Sequence, residues 1–286
     1  MNSIKVAFAI AGVILSISIA QSFVVKGTLQ VKNVDGKEFT GIAGNSFGDI
    51  YLIESNYDEV YHVNRRGEII RIAGGIGWDH SNLDGPSDIV CPDEINIFIA
   101  DYFNGKIKHF DKELNFISEF PIDNSFTLTY PLSVDYSKDG FFFILDGDKN
   151  EVIISGTKAT KIYQLGSPEY GEFKLFNPLK IRVDSRKNVY VLERNSIKIF
   201  KFPVAPSKLI KLDKKENPID MTIVIDYVIV LCGTMKYFII KNKILKEVNL
   251  GELGIKDTIV SISGISNRML SLTRDGKIYI FELINK

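Results

Sequence analysis

Short apolar runs, each closed by an acidic residue, recur along the chain. The first is residues 49–54 (DIYLIE), followed by Asn96–Asp101 (NIFIAD), residues 140–146 (GFFFILD) and Asn188–Glu193 (NVYVLE). The closing acids Glu54, Asp101, Asp146 and Glu193 stand 47, 45 and 47 residues apart. Two copies without the acid follow, Tyr227–Cys232 (YVIVLC) and Arg268–Thr273 (RMLSLT). Runs of this length, rich in Val, Ile, Phe and Tyr, read as strands. No segment carries a sustained helical apolar period.

Each run sits inside a larger unit. An apolar strand precedes it, with a proline at its start in four copies: Pro86, Pro131, Pro178 and Pro218. A turn and a third strand follow, at residues 59–64, 106–111, 151–155, 196–201, 235–240 and 277–283, and a fourth strand closes most units. Four short antiparallel strands at a period of about 40–47 residues describe a propeller blade. Units begin near Thr40, Ser87, Pro131, Leu179, Ile219 and Val260. The pattern therefore predicts an all-β, six-bladed β-propeller of four-stranded antiparallel blades. The last unit has only three strands before the chain ends. Residues 23–32 (FVVKGTLQVK) are strand-like and belong to no other unit, so they are expected to supply its outer strand. Closing the ring in this way removes an edge that would otherwise invite aggregation.

The residues of the second unit carry a family resemblance. Residues 85–90 (GPSDIV), then Asn96–Asp101, Asn104-Gly105-Lys106-Ile107 and Phe110-Asp111, resemble one full NHL repeat. The fourth unit is similar, from Gly171-Glu172-Phe173 through residues 177–181 to Asn188–Glu193 and residues 197–200. The resemblance runs over residues 39–284 and weakens in units 5 and 6. It implies architecture and says little of function.

Composition adds bounds. Lys+Arg and Asp+Glu balance at 35 each over 286 residues. A neutral chain lacks the charge excess from which nucleic-acid binding draws its affinity, so no nucleic-acid partner is expected. Lysines cluster at Lys208, Lys211, Lys214 and Lys215 and at Lys241, Lys243 and Lys246, which reads as solvated outer strand. At the N-terminus, Lys5 precedes an apolar run from Val6 to Ala20, and Ser18 and Ala20 place small residues before a cut at Gln21. This is the pattern of a secretory signal peptide, residues 1–20, ahead of one domain over residues 21–286. A run of 15 residues is short of the roughly 20 that span a bilayer. The protein is expected to be secreted, periplasmic or in the cell envelope, to meet the membrane only through that segment before cleavage, and to be a monomer. Cys91 and Cys232 fall in units 2 and 5, on opposite sides of the ring, and are expected to stay unpaired.

In propellers resembling this one, ligands usually meet the face formed by the second-to-third-strand loops and the blade-to-blade loops. Those loops hold Glu54, Asn56, Tyr57 and Asp58, then Asp101, Tyr102 and Asn104, then Asp146, Asp148 and Asn150, and last Glu193, Arg194 and Asn195. The longest connection, residues 74–85 (GGIGWDHSNLDG), carries the single tryptophan, Trp78, beside Asp79 and His80. The repeated acid reads as structural, because Asp and Asn at a strand end accept backbone N–H bonds and set the turn. Trp78 has two readings, a stacking residue for a sugar or peptide side chain and a plug packed over the ring. The candidate ligand-binding set is Trp78, Asp79, His80, Tyr57, Tyr102, Asn104 and Arg194.

His62, His80 and His109 lie in different places without metal-ligand spacing. Propellers similar to gluconolactonases hold Ca²⁺ with carboxylate and amide oxygens, a role for which Glu54, Asp88, Asp220 and Asn104 are the candidates here. There is no phosphate loop, nucleophile elbow or paired-cysteine motif. The first expectation is a non-enzymatic binding or scaffold module for a protein, peptide or glycan, with no cofactor and no catalytic residue assigned. The alternative is a Ca²⁺-dependent hydrolase, lactonase or lyase at the channel mouth, with Glu54, Asp88 and Asp220 as ligands. A carrier of a small hydrophobic ligand is a third reading without a supporting motif.

Overall fold

The computed structural model describes residues 23–121, 126–156, 161–213, 215–233, 235–241 and 244–283. The expected signal segment, residues 1–20, lies outside them. The strands form six four-stranded antiparallel sheets arranged as blades. β1 (Phe23–Gln30) comes first and belongs to the last blade. Blade 1 is β2 (Phe39–Gly44), β3 (Ile50–Glu54), β4 (Glu59–Val63) and β5 (Ile69–Gly74). Blade 2 is β6 (Pro86–Val90), β7 (Asn96–Asp101), β8 (Lys106–Asp111) and β9 (Phe116–Phe120). Blade 3 is β10 (Pro131–Tyr136), β11 (Phe141–Asp146), β12 (Glu151–Gly156) and β13 (Lys161–Leu165). Blade 4 is β14 (Pro178–Val183), β15 (Asn188–Glu193), β16 (Ser196–Lys201) and β17 (Ala205–Lys211). Blade 5 is β18 (Pro218–Val224), β19 (Tyr227–Cys232), β20 (Lys236–Lys241) and β21 (Ile244–Asn249). Blade 6 is β22 (Ile259–Ile265), β23 (Arg268–Thr273) and β24 (Lys277–Leu283), completed by β1.

The ring closes as the strand pattern predicts. β1 pairs antiparallel with β24, Phe23 opposite Leu283 and Gln30 opposite Lys277, with a bulge between Val25 and Gly27. The innermost strands of consecutive blades are neighbours all the way round, and β22 returns to β2. Just past β1, the Val31 amide donates to the Gly276 carbonyl at 3.1 Å, and Lys32 donates to Gly67 of blade 1 at 2.8 Å. The chain thus ties blade 6 to blade 1 before blade 1 begins.

Six apolar clusters lie between blades, one per interface. Ala43, Tyr51, Ile53 and Val60 of blade 1 meet Ile89, Ile97, Ile99 and Phe110 of blade 2. Met269, Tyr279 and Phe281 of blade 6 meet Ile229, Leu231 and Tyr237 of blade 5 in the same way. A second strand is packed on both faces, so its residues are buried without alternation, as in Ile97, Phe98, Ile99 and Ala100. That two-sided burial is why these strands read as continuous apolar runs. Cys91 and Cys232 are unpaired thiols on blades 2 and 5. Among the described residues no helix is long and apolar enough to cross a membrane.

Candidate functional site

The acids that close the second strands hold the blade connections. One Glu54 oxygen accepts the Glu38 amide at 3.0 Å and the other accepts Tyr57 at 3.0 Å. Asp101 accepts the Asp84 amide and the Asn104 side chain, each at 2.8 Å. Asp146 accepts Thr129 at 2.8 Å, with Asp148 and Lys149 at 3.2 Å. Glu193 accepts Phe176 at 2.7 Å and the Ser196 hydroxyl at 2.7 Å. In every case one partner lies just ahead of the inner strand and another in the turn after the acid, so the carboxylate clamps two loops of one face. Burial pushes the Asp101 carboxyl up to about 6 against the pull of these hydrogen bonds. In blade 6, the Thr273 hydroxyl takes the turn amide of Lys277 at 2.9 Å in place of an acid.

The channel axis is built from the inner strands. Each of them shifts register after its first residue, as between Pro86 and Asp88 or between Pro218 and Asp220. The third residues of blades 2 to 6, Asp88, Ser133, Lys180, Asp220 and Ser261, are buried polar groups around the axis. One Asp88 oxygen accepts the Val134 amide of the next blade at 3.1 Å and the Ser133 hydroxyl. One Asp220 oxygen repeats this with Ile262 at 2.9 Å and Ser261 at 2.7 Å. Lys180 lies between the two aspartates, its Nζ 2.7 Å from Asp88 and 3.2 Å from Asp220. Arg182 forks onto Asp88 at 2.8 and 3.1 Å. Burial alone would raise the Asp88 carboxyl, but Arg182 and Lys180 outweigh it and hold the group well below the usual carboxylate range.

This network bears on the calcium reading. Asp88 and Asp220 do converge, but an ammonium and a guanidinium take the place a metal cation would hold. Glu54 spends both oxygens on backbone amides of blade 1 and shares no partner with them. Asn104 is bound to Asp101 in its own turn. Among the described residues no group of three or more His, Cys, Asp or Glu is placed to hold a metal ion. The donor set does not fit Ca²⁺.

The loop face presents the expected aromatic residues. Glycines 74 and 75 take positive φ and turn the chain out of β5. A Cβ at Gly74 would approach the Asp58 carbonyl to 2.7 Å, so the turn requires glycine. The loop is then held from within: Asn82 donates to the Gly75 carbonyl at 3.0 Å and accepts the Asp79 amide at 2.7 Å, while Leu83 is buried. Trp78 is fully exposed at 104 %, which removes the plug reading. Tyr57 is exposed, with the Lys37 ammonium 4.0 Å over its ring. Tyr102 stacks on Tyr130 at 4.8 Å and meets Phe103 edge-on at 5.0 Å. Ile76, Phe103 and Phe176 are also exposed on this face.

The remaining candidates are scattered. Hydrogen bonds from Ser81 hold the Asp79 carboxyl below its ordinary value. His80 leans outward over blade 2, its ring 6.2 Å from Phe116 and its Nδ1 3.7 Å from Glu119. Arg194 is exposed on blade 4, one residue past Glu193, whose carboxylate accepts the Phe176 amide. His62 is buried against Tyr51, and His109 contacts Asn96 at 2.7 Å. Both sit on third strands, away from the channel-lining strands.

The sequence reading missed the other face. An open cavity of about 920 Å³ lies there, lined by the first-to-second-strand segments of blades 2 to 6. Arg182 and Asp135 stand among its lining residues, and the buried Asp88, Lys180 and Asp220 lie beyond it. Repetition hid this site, because Asp135 and Arg182 sit in strands whose pattern reads as ordinary repeat.

The fold and its loops define a six-bladed β-propeller with an aromatic loop face and a charge-sealed channel. Solved structures share the propeller fold. At TM-score 0.62 and 15 % identity, 92 % of this chain covers 100 % of a catalytically inactive histidine-to-alanine variant of virginiamycin B lyase from Staphylococcus aureus with quinupristin. A streptogramin B lyase is similar at TM-score 0.58 and 15 % identity, with 93 % of this chain and 89 % of that one covered. Selenomethionine-substituted virginiamycin B lyase from Staphylococcus aureus gives TM-score 0.58 and 14 % identity, with 92 % and 100 % covered. No protein-family model matches the chain, and no curated protein matches its sequence. The likeness therefore speaks to the fold.

Proposed function

We propose that this chain is an exported, NHL-like propeller that acts as a non-enzymatic recognition module, taking a protein, peptide or glycan on its aromatic loop face. One observation carries the reading: Tyr57, Ile76, Trp78, Phe103 and Phe176 are large apolar side chains exposed on loops of a single face. Exposed apolar surface of this kind, on loops held rigid by buried carboxylates, is the usual mark of an interaction site. Aromatic residues bring large contact area at small entropy cost. Peptide and glycan arrays probed with the wild type and with Trp78→Ala and Phe103→Ser test this. The wild type should select a restricted set, and each variant should weaken it about tenfold. Selection unchanged in both variants, or none by the wild type, overturns the reading.

A second reading, a lyase of small cyclic substrates, is favoured by the extent of the likeness to the virginiamycin B lyases. Of the chain's three histidines, His62 and His109 lie on third strands and only His80 stands in a loop of the aromatic face. Incubation with quinupristin, followed by chromatography, separates the two: consumption of the compound would establish the lyase.

A further inference from the structure

Three aspartates of the inner strands staple one blade to the next. Asp88 accepts the Val134 amide, Asp220 accepts Ile262, and Asp135 accepts Val183 at 2.8 Å. Each also accepts the amide of its own following residue, Asp135 taking Tyr136 at 2.8 Å. They differ in their counter-charge. Asp88 has Lys180 and Arg182 within 2.8 Å, and Asp220 has Lys180 at 3.2 Å. Among the described residues, Asp135 has no Lys or Arg within ion-pair distance. The nearest guanidinium, Arg182, donates its hydrogen bonds to Asp88, Ser133 and the carbonyls of Val134 and Ile181. The axis therefore carries three aspartates against two cations.

The uncompensated carboxylate lines the open cavity of about 920 Å³. A carboxylate offers about four lone-pair directions, and the two amides on Asp135 leave the others for a ligand. Beside it stands Tyr136, and the walls include Val90, Val183 and Ile223. A carboxylate set among apolar walls selects an ammonium carried on an apolar body. The volume suits a small molecule. The ion network closes the floor, so such a ligand enters from the first-to-second-strand face.

We infer that this cavity is a binding site for a small organic amine, with its nitrogen at Asp135 and its apolar part against Val183 and Ile223. The site lies on the face opposite the aromatic loops and does not depend on the recognition function proposed for them. Asp88 and Arg182 are the charged groups that face Asp135 from the neighbouring inner strands, and Lys138, Asp139, Asp184, Lys187 and Asp226 stand around the cavity. Burial raises the Asp135 carboxyl to about 6, so amine binding should weaken as pH falls below that value.

Isothermal titration of the full-length protein with 4-phenylbutylamine, 4-phenylbutanol and 4-phenylbutyrate tests the site. The amine should bind at least about tenfold more tightly than the alcohol, and the butyrate should give no heat. Asp135→Asn should weaken the amine by about tenfold or more. Because that residue also staples two blades, Ser263→Phe serves as a second variant: it fills the cavity, keeps Asp135, and should abolish binding while the circular dichroism and Tm stay near wild type. Equal binding of the alcohol or butyrate, no heat with the amine, or unchanged affinity in either folded variant overturns the assignment.

Discussion

The guanidinium of Arg182 grips the carboxylate of Asp88 from two blades away, Nη1 to Oδ2 at 2.8 Å and Nη2 to Oδ1 at 3.1 Å, although 94 residues separate them in the chain. Asp88 in turn accepts the Val134 amide, so one carboxylate joins the inner strands of blades 2, 3 and 4. Lys180 extends the network to Asp220 of blade 5. The axis of the ring is held by charge, while the interfaces between blades are held by apolar packing.

Lys180→Met should be strongly destabilising. It leaves Asp88 with one cation and Asp220 with none, both buried. Breaking a buried pair typically costs about 3–5 kcal/mol. Urea unfolding should show this loss, and adding Asp220→Asn should recover part of it. A variant as stable as wild type would contradict the geometry.

Stability should respond to Asp135 in a defined pH window. Its folded value is about 6 and its ordinary value is 3.8. The fold binds this proton more tightly than the unfolded chain, so stability falls as pH rises from about 4 to about 6. A shift of two units corresponds to about 3 kcal/mol. Asp135→Asn removes the titration, so it should gain stability relative to wild type across that window in urea melts. A constant difference would show that burial does not raise the group.

Asp101→Ala should loosen the loop face. It removes the acceptor of the Asp84 amide and of Asn104, in a site with no water access at Asp101 itself. Losing a hydrogen bond to a charged acceptor costs about 1.5–3 kcal/mol. Hydrogen exchange should rise at the Asp84 amide while the strand amides of blade 5 stay protected.

Trp78 and Leu83 belong to one loop and should behave oppositely. Trp78→Ala should change stability by no more than about 0.5 kcal/mol, because the side chain is fully exposed. Leu83→Ala should cost about 2–5 kcal/mol, because it anchors the loop between blades 1 and 2. Thermal melts of the two variants decide this.

Deleting residues 23–30 should open the ring. The edge of β24 would then be bare, with Ile278, Ile280 and Glu282 losing their partners on β1. Bare edges pair with other chains. Size-exclusion chromatography should show higher-order species where the intact chain gives one peak.

The sequence by itself determined the blades, their number and the closing strand. Each depends on contacts that are local or periodic: the run Asn96–Asp101 is apolar because both its faces pack, and Asp101 follows because the next turn needs an acceptor for Asn104. The exposed state of Trp78 was left open, since a glycine-rich loop can fold inward or outward and only the hydrogen bonds of Asn82 fix which. Asp88 and Asp220 were legible as candidate cation ligands, together with Glu54 and Asn104, but the cations they bind were not. Lys180 and Arg182 reach Asp88 over 92 and 94 residues, and a repeat pattern carries no record of which blades face each other across the axis. Tertiary structure alone decided that these cations seal the channel, that Asp135 has none within ion-pair distance, and that the open cavity faces away from the aromatic loops. Periodic burial is written into each strand, whereas charge pairing across a ring exists only once the ring has closed.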